Sequence, residues 1–408
     1  MLPFPALCDV AQPSSSIRLR QFPTPRSRHP PIQIPSRFGK NQDQTIHDET
    51  RRKLERISGG FTAVRWGVAY GSGVFDQVGY ASRGLNGIPS PDSSTKPRKE
   101  QPLVDFLFST SHPSHFHAIN LQKNPTHYPR LFRWLGPEAI ARVQEWGGGV
   151  WFVTDVDTVR IKYGIISTDA LCTDLLDWTT LYVSGRLHKP VRIVKGAADR
   201  RVLVAAQVNL TSALRVALLQ LPETFTEREL WEQVAGISYS GDPRMSIPGA
   251  ENPHKVKNIV APQMHRFRGL YGRLLSGMGG VKPADEEKQD KSISYRADLL
   301  SKLPRTLRRS IATHYCTQFN VQMLKPGEEP QEGGPTALTG DEFWKKVAGV
   351  DEADLRAVLS RALKGIMGKP ALRQSFKGLL TAGFSKSMVY AGRKVGKWWK
   401  AKVSHGMH

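Results

Sequence analysis

The 408-residue chain has only three cysteines, and they lie far apart at Cys8, Cys172 and Cys316. This excludes a disulfide framework and a cysteine-based zinc site, and it is typical of a reducing compartment. Long apolar runs are also missing, since no stretch approaches the roughly 18–20 uninterrupted apolar residues that cross a bilayer. With 39% hydrophobic residues, the sequence predicts a soluble or peripheral protein of two or three domains.

Acidic residues are scarce at both ends of the chain. The first 42 residues hold six Lys or Arg and one acid, Asp9, and the residues after Asp354 hold twelve Lys or Arg and no acid. Most of the net charge of +22 therefore belongs to the ends. Nucleic-acid-binding proteins usually spread basic charge over a folded domain, so this distribution argues against a nucleic-acid partner.

Each basic end carries its own prediction. Residues 1–43 are rich in Pro, Arg and Ser, which is typical of a mitochondrial presequence, although a disordered tail without a targeting function is the alternative. Residues 346–408 place Trp398 and Trp399 beside many lysines, on an approximate helical face that includes Phe376. We expect this region to bind an anionic membrane surface; a solvated helix packed on the body is the alternative.

Short apolar runs between residues 44 and 200 alternate with helical patterns. Strands are predicted at residues 63–70, 103–108, 149–154 and 159–166, and a helix at 167–178. Interleaved strands and helices indicate an α/β first domain. Residues 201–345 are mainly helical in pattern, and Thr226 with Glu229 three residues later predicts a capping box.

A turn that contains Gly71, Ser72 and Gly73 follows the first predicted strand, and Asp105 lies within the next one. Glycine-rich turns let backbone N–H groups approach phosphates, and a helix start behind the turn would add its positive end. A carboxylate on the neighbouring strand can hold Mg²⁺ against the same phosphates. Together these residues predict a nucleoside triphosphate site; a hairpin turn with a solvent-facing Asp105 is the alternative.

Further polar candidates follow along the chain. Lys162 could neutralise phosphate charge or simply extend from a sheet edge. Asp155 and Asp157 could add a metal carboxylate or form a polar turn. A turn after a predicted helix combines hydroxyl, acidic and basic side chains, at Tyr239, Ser240, Asp242 and Arg244. Asp242 could bind metal or nucleotide and Arg244 a phosphate, with a plain ion pair between them as the alternative.

Several histidines near Asp105 lack the spacing of a zinc site, and Pro113 interrupts any helix that could align the first two. They are His112, His115, His117 and His127. We predict structural roles for them, although His117 and Asn120 are close enough in sequence to Asp105 to line its pocket.

The motifs together resemble one family. Matching blocks run from about Phe61 to Gly383 and keep one order; they include Tyr70-Gly-Ser-Gly-Val-Phe75, Val104-Asp-Phe-Leu-Phe108, Lys162-Tyr-Gly-Ile-Ile-Ser167, Gly185-Arg186 with Lys189-Pro190, and Gly236-Ile-Ser-Tyr-Ser-Gly-Asp-Pro-Arg-Met245. The chain resembles the mitochondrial translocator assembly and maintenance protein family, the matrix-side phosphatidate cytidylyltransferases of the nucleotidyltransferase superfamily.

This resemblance implies a nucleotidyltransferase domain at residues 44–200, a winged-helix-like domain at 201–345 and a basic C-terminal helix. It implies an enzyme that makes CDP-diacylglycerol and diphosphate from CTP and phosphatidate, for cardiolipin and phosphatidylglycerol synthesis. The enzyme would bind peripherally on the matrix side of the mitochondrial inner membrane, with Mg²⁺ as its cofactor.

The same resemblance assigns roles to the candidate residues. Ser72, Asp105 and Lys162 would be catalytic, and Asp105 and Asp242 would bind the metal. The nucleotide would contact the Gly71–Gly73 turn and the hydroxyl, acidic and basic side chains of residues 239–244.

Leu107 departs from the superfamily pattern, which usually has a second acid at this position. We hypothesise that phosphatidate, whose phosphate is already ionised, needs no strong general base. Two other functions stay open, namely nucleotidyl transfer to RNA and a non-enzymatic membrane scaffold for the protein-import machinery. The low charge of the body argues against the first, and a scaffold would have no use for Ser72 beside Asp105.

Overall fold

A mixed five-stranded sheet organises the N-terminal half of the chain. The computed structural model describes residues 38–77, 103–156, 161–241, 252, 254–282, 287–324, 328 and 335–382. The sheet has the order β3-β4-β2-β1-β5. Its strands are β1 (Trp66–Tyr70), β2 (Val104–Thr110), β3 (Trp151–Val156), β4 (Ile161–Ser167) and β5 (Arg192–Lys195). β2 and β4 are parallel and the other pairs are antiparallel.

The predicted strands are present with shifted ends, and the mixed α/β character is confirmed. β1 begins three residues later than predicted, because Ala63 has a left-handed backbone conformation with φ of 59°. The helix predicted at residues 167–178 is Thr168–Asp177, and the Ser167 hydroxyl caps it by accepting from the Ala170 N–H.

Helices surround this sheet and form most of the second half. In chain order they are α1 (Asp48–Gly59), α2 (Pro113–Lys123), α3 (Arg130–Gln144), α4 (Thr168–Asp177), α5 (Arg200–Gln220), α6 (Glu227–Gly236), α7 (Lys255–Val260), α8 (Met264–Ser276), α9 (Ile293–Ser301), α10 (Arg305–Phe319), α11 (Gly340–Ala348) and α12 (Glu352–Ala382). The predicted capping box at Thr226 and Glu229 is confirmed at the start of α6.

Two small sheets accompany the helices of the second half. One has the order β6-β8-β7, and the other pairs β9 with β10. Their strands are β6 (Thr224–Phe225), β7 (Val281–Lys282), β8 (Glu287–Gln289), β9 (Val321–Met323) and β10 (Thr336–Leu338).

The two faces of the central sheet pack against different helices. Phe106 and Phe108 of β2 lie in a core with Phe132 of α3. Leu107 lies in a second core with Leu171 of α4 and with residues of α5. Because alternate residues of a strand point to opposite faces, Asp105 shares the face of Leu107.

Helix α5 connects the sheet with the helical half. By length and a mean hydropathy of 1.7, it is the one described helix that could cross a membrane. However, 67% of its apolar window is buried inside the protein. Its Asn209 accepts a hydrogen bond from Trp178 Nε1 at 2.8 Å, so α5 packs as a core helix.

The C-terminal helix α12 has 31 residues and packs against both halves. Gln374 donates to the Val150 carbonyl at 3.0 Å, next to the start of β3. On its outer side Leu372 and Phe376 are 63% and 60% exposed. The tryptophans of the predicted membrane-binding region, Trp398 and Trp399, lie outside the described residues.

Candidate active site

The register of the central sheet brings an acidic and a basic side chain together. Asp105 on β2 is the partner of Tyr70 on β1 and of Lys162 on β4. Lys162 Nζ lies 3.6 Å from Asp105 Oδ1, and both side chains are partly exposed. Side chains opposite one another in neighbouring strands point to the same face. The pair therefore lies at the sheet edge where β1 ends and where β2 and β4 begin.

Gly71 directly follows β1 at the same edge. Its φ of +83° is in the left-handed region, which glycine adopts without strain. A Cβ atom here would lie 3.1 Å from Asp105 Oδ2, so glycine leaves room for the carboxylate. Its carbonyl accepts two 3.0 Å hydrogen bonds, from the N–H groups three and four residues on. Ser72 and Gly73 lie in this single helical turn, which does not continue as the expected helix within the described residues to 77.

Lys162 keeps its positive charge in this setting. Burial lowers the pKa of Lys162, but the Asp105 carboxylate and the hydroxyls of Tyr70 and Tyr182 more than offset it, so the net pKa is raised. Its Nζ also lies 4.8 Å from the centroid of the Phe152 ring. A lysine that stays protonated can neutralise phosphate charge, but it cannot accept a proton as a general base at neutral pH.

Of the two predicted metal ligands, Asp105 and Asp242, the structure describes Asp105. In the described parts of the chain, no three His, Cys, Asp or Glu side chains gather into a metal site. The second predicted ligand, Asp242, lies outside the described residues, as do Asp157 and Arg244. Proteins commonly bind Mg²⁺ through one or two carboxylates together with substrate phosphates. A single partly exposed carboxylate beside the Gly71 turn fits a Mg²⁺ ion that arrives with a nucleotide.

Leu107, which the sequence comparison places where a second acid was expected from the resemblance, is fully buried. It pairs with Val68 of β1 and lies in the core between the sheet and α4. An ionised carboxylate at this position would be buried without a partner, which is strongly unfavourable. The core of this chain therefore leaves Asp105 as the acid of this strand.

Tyr239 and Ser240 form a second group of predicted residues. They lie at the end of a 3₁₀ helix, Ile237–Tyr239, that continues α6. This segment packs tightly on α12, since a Cβ atom at Gly241 would lie 2.9 Å from the Lys364 carbonyl oxygen. The segment at residues 182–189 connects this group with the Asp105 site: Lys189 lies beside the Tyr239 ring, and Arg186 is close enough to Lys162 to influence its pKa.

That intervening segment carries basic residues to which the sequence analysis assigned no role. The Arg186 guanidinium lies 3.9 Å from the Tyr182 ring centroid. Lys189 Nζ and Lys255 Nζ lie 5.2 Å and 5.5 Å from the Tyr239 ring centroid. Arg186 also influences the pKa of Lys162, so the basic groups continue from Asp105 to Tyr239. Tyr182, followed within seven residues by the basic Arg186 and Lys189, is the sequence signal for this surface.

A buried carboxylate fixes the backbone that carries Tyr182 and Arg186. Asp174 is 3% exposed and accepts backbone hydrogen bonds from the segment that follows α4. The donors are the N–H groups of Thr180 (2.7 Å), Leu181 (3.0 Å), Val183 (3.2 Å) and Ser184 (2.9 Å). A carboxylate can accept several donors at once, which holds this irregular segment in one conformation.

The predicted structural role of the buried histidines is confirmed for His117. Its ring nitrogen lies 2.9 Å from the Tyr128 hydroxyl, which also accepts from Asn120. Burial lowers the pKa of His117 to about 4, so the ring is neutral. Asn120 also donates to the hydroxyl of Tyr163. Tyr163 directly follows Lys162, the register partner of Asp105, so its side chain points to the face of the sheet opposite to Asp105. The expectation that His117 and Asn120 line the Asp105 pocket is therefore wrong.

Comparison with known proteins covers most of the chain. Residues 54–397 match the family model described as mitochondrial phosphatidate cytidylyltransferase. Proteins of that name from Mus musculus, Danio rerio and Schizosaccharomyces pombe are 38%, 37% and 33% identical to it. The alignments cover 82%, 86% and 88% of this chain and 91%, 94% and 86% of those proteins. The chain belongs to this family.

The phosphatidate cytidylyltransferase family match includes the whole site described above. The glycine turn, Asp105, Lys162 and the basic segment all lie within residues 54–397. The resemblance found from the motif blocks is therefore confirmed.

Proposed function

We propose that this protein transfers the cytidylyl group of CTP to phosphatidate, forming CDP-diacylglycerol and diphosphate with Mg²⁺ as cofactor. The supporting observation is that the Gly71 turn, Asp105 and Lys162 meet at one sheet edge. This chain also aligns over most of its length with proteins that are named for this activity. The sheet would be a nucleotidyltransferase domain, and the helices with the β6-β8-β7 sheet a winged-helix-like domain.

The residues at the sheet edge would act on the triphosphate through position and charge. The backbone N–H groups of the turn and the Ser72 hydroxyl would contact the terminal phosphates, and Asp105 would hold the metal. Bound Mg²⁺ would supply charge neutralisation and polarise the phosphates. Lys162 would add a fixed positive charge that stabilises the departing diphosphate.

The acceptor explains why this site needs no general base. A phosphatidate oxygen would form a bond to the α-phosphorus of CTP while the bond to the diphosphate oxygen breaks. A phosphate monoester is largely ionised near neutral pH, so no proton has to be removed first. The protonated Lys162 and the buried Leu107 agree with a mechanism that relies on orientation and electrostatics.

The relatives are named mitochondrial, and we propose the same compartment for this protein. It would act peripherally on the matrix side of the inner membrane and supply CDP-diacylglycerol for cardiolipin and phosphatidylglycerol. The presequence predicted at residues 1–43 would end before Gly39, because Asn41 donates to the Leu270 carbonyl at 2.7 Å and Asp43 forms an ion pair with Arg192 at 2.6 Å. The exposed Leu372 and Phe376 of α12 support a membrane-facing end that continues into the basic residues beyond it.

The test is diphosphate release by the purified full chain from each of the four nucleoside triphosphates, with Mg²⁺ and phosphatidate liposomes. We expect turnover with CTP that depends on phosphatidate and is abolished by EDTA. Asp105→Asn should remove it, whereas Asp169→Asn, the same change at a surface carboxylate that is 76% exposed, should not.

Other outcomes separate the alternatives. Transfer to a tRNA end without lipid would favour the RNA nucleotidyltransferase. Liposome binding without turnover on any nucleotide would favour the scaffold. Equal activity of Asp105→Asn and wild type would refute the metal site proposed here.

A further inference from the structure

The start of α3 exposes a group of large apolar side chains, here called the α3 patch. Its members are Leu131, Trp134 and Leu135, which share one helix face because they are spaced i, i+3 and i+4. Trp134 is 81% exposed and Leu131 is 59% exposed. Neighbouring large apolar side chains on a protein surface commonly mark a site of interaction with another molecule or a membrane. The packing of the fold gives these three residues no other role.

A kink and a buried aromatic ring hold the α3 patch in place. Gly136 interrupts α3 with a φ of 81°, and Pro137 follows it. A kink of this kind turns the first helical segment away from the axis of the second. Phe132 is buried and packs edge-on against Trp151 of β3, with the ring centroids 4.9 Å apart. The exposed residues therefore belong to an element that is anchored on the central sheet.

Helix α12 places a second exposed apolar group beside the same strand. Gln374 donates to the Val150 carbonyl at 3.0 Å, and Lys377 donates to the Trp146 carbonyl at 2.6 Å. Phe376 directly precedes Lys377 and is 60% exposed, and Trp146 is 56% exposed. Trp146 therefore lies where the segment after α3 meets α12.

The two exposed groups are close to each other and to the candidate active site. The helical residues 137–144 that lie between them span only about 12 Å. Both groups are anchored near the start of β3, which is an edge strand of the central sheet. Thr154 of this strand pairs with Lys162, and it lies roughly 10 Å along the strand from Trp151. A bilayer at the β3 edge would therefore lie beside Lys162.

The charge around the α3 patch is positive. Residues 106–137 contain no acid, whereas Lys123, Arg130 and Arg133 are exposed there. Glu138, the acid of α3, lies beyond the kink. Basic side chains beside exposed tryptophan and leucine are typical of elements that bind an anionic bilayer surface. This charge pattern favours a membrane over an apolar or basic protein partner.

We propose that the α3 patch inserts into an anionic membrane surface and that Arg130 and Arg133 bind the lipid phosphates beside it. The α12 group is the second contact, and it too has basic surroundings, since no acid follows Asp354. This inference rests on the proposed function, because a lipid acceptor requires the Asp105 edge to work at a bilayer. Two separated contacts fix the orientation of that edge relative to the membrane, whereas a single helix leaves the body free to rotate.

Vesicle binding tests the α3 patch without turnover. The full chain is centrifuged with phosphatidylcholine vesicles that contain phosphatidylglycerol, an anionic lipid that is not the proposed acceptor. Trp134→Ser should weaken binding about tenfold or more at low and at high salt, because a large apolar side chain no longer leaves water. Ile293→Ser removes an apolar side chain that is 53% exposed at the start of α9, and it should bind as wild type.

A second pair of variants tests the charge. Arg130→Gln combined with Arg133→Gln should weaken binding about tenfold at low salt, and the difference from wild type should shrink as salt is added. Arg305→Gln combined with Arg309→Gln removes the same charge from exposed positions of α10 and should bind as wild type. All these side chains are exposed, so the melting temperature should not change in any variant.

Insertion itself is measured with brominated lipids, which quench tryptophan fluorescence on contact. Trp134→Phe keeps an apolar side chain, so it should still bind while part of the quenching is lost. Unchanged quenching in this variant, or binding of Trp134→Ser as tight as that of wild type, would refute insertion and leave the patch to a protein partner. Wild-type binding by the Arg130 and Arg133 double variant would refute the anionic preference. None of these measurements needs CTP, so they are independent of whether the protein is a cytidylyltransferase.

Discussion

Asp105 and Lys162 are register partners on the one parallel pair of the central sheet, and their charged atoms lie 3.6 Å apart. Strand β2 and strand β4 both begin at this edge, so each contributes its second residue to the pair. The parallel pairing therefore places a carboxylate and a protonated amine on the same face of the sheet, next to the turn that follows β1. A nucleotide at this edge would meet opposite charges at fixed positions.

Removing the positive charge at this edge should impair catalysis more than folding. In Lys162→Met the phosphates lose a fixed cation, so we expect kcat/KM for CTP to fall by about 100-fold or more. Lys162→Arg should retain part of the activity, because it keeps the charge. Lys123→Met, at an exposed position, is the matched control. Unchanged kinetics in Lys162→Met with an unaltered melting temperature would contradict the assignment.

The turn after β1 should tolerate no side chain at its first position. Gly71→Ala would strain a residue with φ of +83° by about 1–2 kcal/mol and place a methyl group 3.1 Å from Asp105 Oδ2. We expect the carboxylate to move and activity to fall at least tenfold. Gly59→Ala, near the end of α1 with no neighbour within 4 Å of the added atom, should be fully active. Similar activity of the two variants would exclude a role for Gly71 in positioning Asp105.

The local parts of the site could be predicted from the sequence. Asp105 is an acid among apolar strand residues, and Gly71 and Ser72 follow a strand directly, so short segments contain the whole signal. The capping box at Thr226 is similarly local, because its hydrogen bonds join residues three apart. Such features depend on neighbours in the chain and not on tertiary packing.

The remaining features depend on contacts between distant segments. The sequence does not show that Asn120 would bind Tyr163 on the face away from Asp105, because strand register decides it. Lys189 and Lys255 are 66 positions apart in the sequence, yet both lie beside the Tyr239 ring. This arrangement likewise requires α7 to pack beside the segment after α4. Tertiary contacts of this kind have no local pattern.

The segment that carries Arg186 should depend on one buried carboxylate. Asp174→Asn replaces an acceptor of four backbone N–H groups by an amide that accepts through one oxygen only. Buried N–H groups would lose their partners, so the free energy of unfolding should fall by about 2–4 kcal/mol. Urea denaturation measures this change. Asp177→Asn, at the end of the same helix, should alter it by less than about 0.5 kcal/mol; equal losses would refute the explanation.

The docking of α12 should make stability depend on pH through Lys377. This lysine is 1% exposed and donates to the carbonyls of Gln144 (2.9 Å) and Trp146 (2.6 Å). Burial lowers the pKa of Lys377 to about 7, whereas an unfolded lysine has a pKa of about 10.4. Between these values the unfolded chain binds more protons, so this group makes the free energy of unfolding rise with pH; below pH 7 both states are protonated and its contribution is constant.

Urea denaturation at pH 7, 8 and 9 tests whether the free energy of unfolding rises with pH. The free energy of unfolding of wild type, minus that of Lys377→Met, should increase by about 1 kcal/mol per pH unit across the series. Lys369→Met, at an exposed position of the same helix, should follow wild type in parallel. If Lys377→Met also runs parallel to wild type, the buried amine keeps an ordinary pKa. In that case its two carbonyl acceptors offset burial completely, and α12 docks on the sheet with its lysine fully charged.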